Sequence, residues 1–219
     1  MPLTLSPDEL LSTTRSVRRH LDLERPVELG LIRECLSLAL QAPSGGNAQG
    51  WHFVVVTQPA TKQALGALYQ QAWRIYTQLP RNQSERLPAD PAARAAMLRV
   101  RASADYLSEH LREVPVIVIP CVKGRLEHVS THPVFVQASL YGSILPAAWS
   151  FMLAARSRGL ASCWSTVHLM FEAEAAQVLG IPYDSVTQTA LIPVAYAKGM
   201  PFKPAARKPL EEVLHMEAW

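Results

Sequence analysis

Cysteine is scarce in this chain, and the little there is stands apart. Cys35, Cys121 and Cys163 are the only three in 219 residues, each in apolar surroundings and none in a CxxC pair. That excludes a disulfide framework and leaves buried free thiols as the expectation. Charge of one sign is also in short supply. The net charge is only +3 and the basic residues are scattered rather than striped, which is no footprint for nucleic acid. The N-terminus lacks a basic-then-apolar leader, so the expected location is the cytoplasm. No Gly-x-Ser-x-Gly elbow, Walker loop or Gly-x-Gly-x-x-Gly turn is present. A nicotinamide nucleotide, if one is used, is therefore not held by a Rossmann fingerprint. His128 and His132 are four apart, but Pro133 follows at once and no HExxH glutamate exists, so no metal site is expected.

What is there is a globular chain. Apolar residues make up 49% and charged residues 18%, enough to bury a core, and 1–219 reads as one domain. Ser6, Pro7 and Glu9 form a helix start with a capping box. Leu29, Ile32, Leu36 and Leu40 lie on one helical stripe, and Pro43 ends that helix near Gln41. Residues 52–57 read as a strand, 60–78 as a helix carrying several aromatics, and 91–112 as another helix. Residues 114–122 are the most apolar strand and are expected at the centre of a sheet. Strands near 161–166 and 187–197 flank a short helix near 171–179. Residues 79–91 are polar and proline-punctuated and read as a plain loop.

One segment, 133–155, has no charged residue and is long enough to span a membrane. Its Gln137, Ser139, Tyr141, Ser143, Pro146 and Ser150 argue instead for a buried central helix, so no membrane is expected. Ala138 and Gly142 are four apart and would let another helix approach closely. Trp149 reads as core. The order of elements implies an α+β or α/β layout with a sheet covered by helices.

Four tracts carry chemistry. Arg15-Ser16-Val17-Arg18 offers guanidinium forks and a hydroxyl, the groups that hold a phosphate. Pro43-Ser44-Gly45-Gly46-Asn47-Ala48-Gln49-Gly50-Trp51-His52-Phe53 is a glycine-rich turn with amide side chains that runs into a strand. Arg158 to Trp164 is the third, and Arg207-Lys208-Pro209-Leu210 the fourth. Together, in this order, they resemble the FMN-dependent nitroreductases over nearly the whole chain.

The resemblance implies an α+β (α/β sandwich-like), nitroreductase-like fold, a central, mostly antiparallel sheet covered by helices, with the long helix at a homodimer interface. It places Arg15, Ser16, Arg18 and Arg207 at the FMN phosphate and ribityl chain, and Pro43, Ser44, Gly45 and Asn47 at the pyrimidine edge. Backbone N–H groups of Ser165 and Thr166 would face N5. Thr14 stands where the family often has a further basic residue, and Arg19 is not taken as its replacement. Relatives commonly have glycine near 165–167 and Gln-Asn at 149–150; this chain has Ser165-Thr166-Val167 and Trp149-Ser150. The implied activity is ping-pong hydride transfer from NAD(P)H through FMN to an electron-poor acceptor such as a nitroaromatic or quinone. Reductive dehalogenation, ring dehydrogenation and flavin sequestration without turnover are the alternatives. No side chain is assigned as a catalytic acid or base, because the cofactor does the hard chemistry.

Overall fold

The most apolar strand organises the molecule. β2 (Val116–Lys123) runs between β1 (Trp51–Val56) on one side and β4 (Val186–Gln188) and β5 (Ile192–Tyr196) on the other, all antiparallel to it. β3 (Leu160–Ser162) pairs antiparallel with β5 and completes a five-stranded sheet. The computed structural model describes residues 3–79, 90–125, 131–199 and 202–219. Most of the 79–91 loop, and His128, lie outside those residues.

Alternation along the strands builds two cores, because successive side chains point to opposite faces. Ile117, Ile119 and Cys121 of β2, with Val56 and Ala195, enter one core. There they meet Leu65 and Tyr69 of α3 (Pro59–Gln78), Leu107 of α4 (Pro91–His110) and Ala175 of α6 (Glu172–Leu179). Val116 and Val118, with Ile192 and Val194, enter the other. Their partners are Ile32, Cys35 and Ala39 of α2 (Leu29–Ala39), and Ala148, Phe151 and Met152 of α5 (Pro133–Ser157). Each such large apolar side chain contributes roughly 1.5–3 kcal/mol when fully buried. All three cysteines are buried and free. Burial pushes the Cys35 thiol up to about 11 and Cys121 to about 12, so neither is a nucleophile near neutrality.

α1 (Pro7–Thr13) starts as its sequence demands. Ser6 Oγ accepts from the Glu9 N–H (3.2 Å) while Glu9 Oε2 accepts from the Ser6 N–H (2.8 Å). Where one strand was expected over 187–197, there are two. In an antiparallel ladder a residue's N–H and C=O point to the same side. The Pro120 carbonyl points at this strand and accepts from the Thr189 N–H (2.9 Å), but proline has no N–H to return. The ladder breaks there, and 189–191 separates β4 from β5.

α5 is buried over its second half, from Ser143 to Arg156, and open over its first. Val134 is 79% and Phe135 74% exposed, and Ala138, Tyr141 and Gly142 are exposed beside them. A Cβ on Gly142 would meet nothing within 4 Å, so among the described residues no helix approaches α5 closely there. Trp149 is 37% exposed on this helix, which corrects its reading as core. Among the described residues α5 is the one helix long and apolar enough to cross a membrane, and 44% of its most apolar stretch is buried inside the protein.

Candidate functional site

The Arg-Ser-Val-Arg tract reaches the site by joining the sheet edge. Ser16 forms a parallel bridge to Ser162 of β3, and the Val17 N–H donates to the Ser162 carbonyl (2.8 Å). Val17 and Leu21 anchor the tract in the core. Ser16 Oγ accepts from the Trp164 N–H (3.3 Å), which ties the first tract to the third. The chain then leaves β3 through Cys163, Trp164, Ser165 and Thr166 and enters a 3-10 turn, Val167–Phe171.

Two cavities open against this edge and share Arg18. The first, about 330 Å³, has the 163–167 segment and Arg18 on one side. Its walls are Tyr69, Trp73, Tyr76 and Thr77 of α3 and Met97, Val100, Arg101 and Ala104 of α4. The second, about 640 Å³, is lined by Arg15, Ser16, Val17, Arg18, Arg19 and His20 and by Leu98, Arg99, Ala102 and Ser103 of α4. Among the described residues, neither cavity has an aspartate or glutamate in its lining. Several guanidiniums around a space with no carboxylate make a field that attracts anions.

Local contacts set the shape. Trp73 donates its indole N–H to Asp105 Oδ1 (2.9 Å) and stacks on Tyr76 with ring centres 5.4 Å apart. Asp105 is thus turned to the tryptophan and is absent from the cavity lining. The Tyr69 hydroxyl lies 2.9 Å from Ser165 Oγ, and burial pushes the phenol up to about 12. Burial also raises the Cys163 thiol, against the pull of Arg18 beside it. Both groups stay neutral near pH 7 and are poor proton carriers there. Arg15 donates to the Lys203 carbonyl (3.2 Å), so the C-terminal arm passes this cavity.

The structure brings together Arg15, Ser16, Arg18, Ser165 and Thr166, five of the residues expected at one site. It separates the two backbone groups expected near N5. The Ser165 N–H is bonded to the Leu191 carbonyl (3.1 Å), and Leu191 returns a bond to Ser165 (2.8 Å). A committed donor is not available to a ligand, which corrects that assignment. For the Thr166 N–H, no hydrogen bond is found among the described residues, and Thr166 is exposed.

Pro43, Ser44, Gly45 and Asn47 line neither cavity; their loop packs on α5 instead. The Gly45 N–H donates to Ser143 Oγ (2.9 Å), and a Cβ on Gly45 would run into Ser139 Oγ. Gly46, Asn47 and Gln49 all have positive φ (57°, 54° and 49°). For the two non-glycines this costs on the order of 1 kcal/mol each. Ser44 Oγ, which accepts from the Gln49 N–H (3.1 Å), and a Gln49 Nε2 to Asn47 Oδ1 bond (3.0 Å) hold that geometry. Arg207 is exposed on the C-terminal arm, and its guanidinium reaches the Ala206 carbonyl (3.1 Å). Within this chain, therefore, the second and fourth tracts do not join the first and third.

Sequence reasoning missed the α3 and α4 walls. The signal was present: Tyr69, Trp73 and Tyr76 are spaced by four and three, one face of a helix. Arg19, set aside from the sequence, does line the second cavity, where its guanidinium donates to the Ala102 carbonyl (3.1 Å).

Comparison with known proteins agrees with this architecture. The model of the nitroreductase family matches residues 11–196. An NADH dehydrogenase of Thermus thermophilus is 31% identical over 215 residues, covering 91% of this chain and 90% of that protein. Among solved structures, a BluB-like flavoprotein from Clostridium difficile superposes with a TM-score of 0.72 at 20% identity, covering 98% of this chain and 100% of that one. The FMN-dependent nitroreductase NfnB from Mycobacterium smegmatis, solved with NADPH, gives 0.67 at 20% identity, covering 96% and 97%. With the sheet, the covering helices and the tract order already in hand, the match over 11–196 settles the classification: this chain belongs to the nitroreductase family.

Proposed function

We propose that this protein is an FMN-dependent oxidoreductase of the cytoplasm that takes reducing equivalents from NAD(P)H and gives them to an electron-poor acceptor. The observation that carries the reading is the pair of adjoining cavities. One is rich in arginine, the other is walled by aromatics, and among the described residues neither has an acidic lining residue. That suits a molecule with a phosphate at one end and a planar ring at the other. The relative named as an NADH dehydrogenase and the FMN-dependent neighbour solved with NADPH support the choice of cofactor and reductant.

In this reading Arg15, Ser16 and Arg18 hold the phosphate and ribityl chain, with charge-assisted hydrogen bonds as the main source of affinity. Arg19 and Arg99 add to the field of the same cavity. The Thr166 N–H is the donor offered to the flavin N5 side. FMN, when bound, supplies the chemistry: it accepts a hydride from reduced nicotinamide and passes two electrons on to the acceptor. The aromatic walls exclude water from the ring face and give flat reductants and acceptors a common surface, so the two alternate in ping-pong order.

Pro43, Ser44, Gly45, Asn47 and Arg207 enter this site from a second copy of the chain. The 43–47 loop packs on α5 at Ser139 and Ser143, next to its open half, where Val134, Phe135, Ala138, Tyr141 and Gly142 form an exposed apolar face. A homodimer built on that face would carry the pyrimidine-edge residues of one protomer to the cavities of the other.

The test is direct. The purified protein is examined between 300 and 550 nm, its chromophore is released by heat, and the holoprotein is mixed anaerobically with NADH or NADPH. About one FMN per chain and bleaching by a reduced nicotinamide are the expected results. A colourless protein that ignores added FMN contradicts the reading. FMN that bleaches with dithionite but not with NADH or NADPH refutes the proposed reductant.

A further inference from the structure

The aromatic cavity carries a charge that none of the described residues answers. Arg101 is exposed at its rim, one helical turn beyond Met97 and next to Val100, so all three face the same space from α4. No hydrogen bond or ion pair of its guanidinium is found among the described residues. The acid four residues on, Asp105, is held by the Trp73 indole N–H (2.9 Å). Arg18 adds a second cation to the lining, and among the described residues no carboxylate lines the cavity to balance either. Trp73 itself is fixed in place by its bond to Asp105 and its stacking on Tyr76.

We infer that this cavity selects aromatic acceptors that bear a negative group, with the ring between the Trp73 and Met97 walls and the anionic group at Arg101. The inference rests on the oxidoreductase reading only in calling the ligand an acceptor. A neutral aromatic gains the same apolar contact but leaves Arg101 facing solvent. An aromatic carboxylate gains that contact and a charge-assisted hydrogen bond as well, and a planar guanidinium is suited to a carboxylate edge. Because Arg101 is exposed, the preference is screened by salt. It is a specificity-determining residue, not a catalytic one.

Benzoate and benzamide are the probes, because they share shape and differ in charge. Isothermal titration calorimetry of the protein as purified, at low ionic strength, should give benzoate roughly three- to tenfold tighter binding than benzamide. In Arg101→Gln that ratio should fall at least threefold, by loss of benzoate affinity alone. In Arg101→Lys, which keeps the charge, most of the preference should remain. Equal binding of the two probes to the unaltered protein overturns the inference, and so does a ratio that survives in Arg101→Gln. Flavin content is measured on the same samples. A protein without flavin sinks the proposed function, while the benzoate-to-benzamide ratio still decides the role of Arg101.

Discussion

Arg125 and Arg15 carry the same side chain into opposite circumstances. At the corner where β2, β4 and α6 meet, Arg125 is nearly buried and grips Glu172 with two bonds of 3.1 and 3.0 Å. It also donates to the Val186 carbonyl (3.0 Å) and lies over the Tyr183 ring. Glu172 Oε1 accepts in addition from the Gln188 N–H (2.9 Å). At the sheet edge, Arg15, Arg18, Arg19 and Arg99 surround about 640 Å³ of space, with no carboxylate among the described lining residues. The first arrangement spends its charge inside the fold. The second leaves its charge for something that is not part of the fold. Arginine count says nothing about function; where the counter-charge lies says a great deal.

The comparison breaks most visibly at the structural corner. Glu172→Ala removes the two-bond carboxylate from a nearly buried Arg125 and the acceptor of the Gln188 N–H, which should cost about 3–5 kcal/mol. At roughly 2–4 °C per kcal/mol for a chain of this size, thermal unfolding should move down by about 6–20 °C. A shift under about 2 °C would place the pair outside the structural class.

His168 is a third kind of polar group. It is fully buried just past the site, and neither ring nitrogen has a hydrogen-bond partner among the described residues. Burial pulls its pKa from 6.5 to about 3. The folded state therefore binds fewer protons than the unfolded state between those values. Stability is fully present above pH 6.5 and falls as the pH drops toward 3, with a slope approaching ~1.4 kcal/mol per pH unit. Denaturant titrations at several pH values check this, and His168→Leu should flatten the slope. An unchanged slope in that variant would assign the acid sensitivity to other groups.

At the sheet edge the expected effect is on the ligand rather than the fold. Arg15→Ala or Arg18→Ala should weaken FMN binding by about 1.5–3 kcal/mol, tenfold or more. The flavin-free protein should unfold close to the original temperature. A large loss of stability with unchanged flavin affinity would move these residues into the class of Arg125. Ser44→Ala is the smallest of the set. Removing the acceptor of the Gln49 N–H should cost about 0.5–1.5 kcal/mol and shift the flavin spectrum slightly. An identical spectrum and affinity would take Ser44 out of the site.

The sheet, the covering helices and the centrality of 116–123 were legible because burial on both faces leaves an unbroken apolar run, and helix caps have local signatures. The break at 189–191 was not, since its cause, the missing N–H of Pro120, sits on a different strand. The site was legible in part. Arg15, Ser16, Arg18 and Thr166 were expected and do meet. Ser165 lines the cavity, but its N–H, the group expected to face a ligand, is bonded to Leu191, a ladder contact that no local pattern announces. Arg101 and Trp73 escaped notice because each reads as an ordinary helix residue until two helices are set face to face. The open half of α5 was legible only through the Ala138 and Gly142 spacing and the family resemblance, since the segment otherwise reads as a buried central helix. An apolar helix looks the same in sequence whether its own chain covers it or another copy does.

The central claim is that the sheet-edge arginines read a phosphate. Equilibrium dialysis of the flavin-free protein against FMN and against riboflavin, which differs only by that phosphate, tests it most directly. The account predicts that FMN binds at least about a hundredfold more tightly than riboflavin, as expected for two or more charge-assisted hydrogen bonds. It also predicts that the Arg15→Ala, Arg18→Ala double variant removes most of that preference. Equal affinity for the two flavins, or a preference that survives in the double variant, would contradict it.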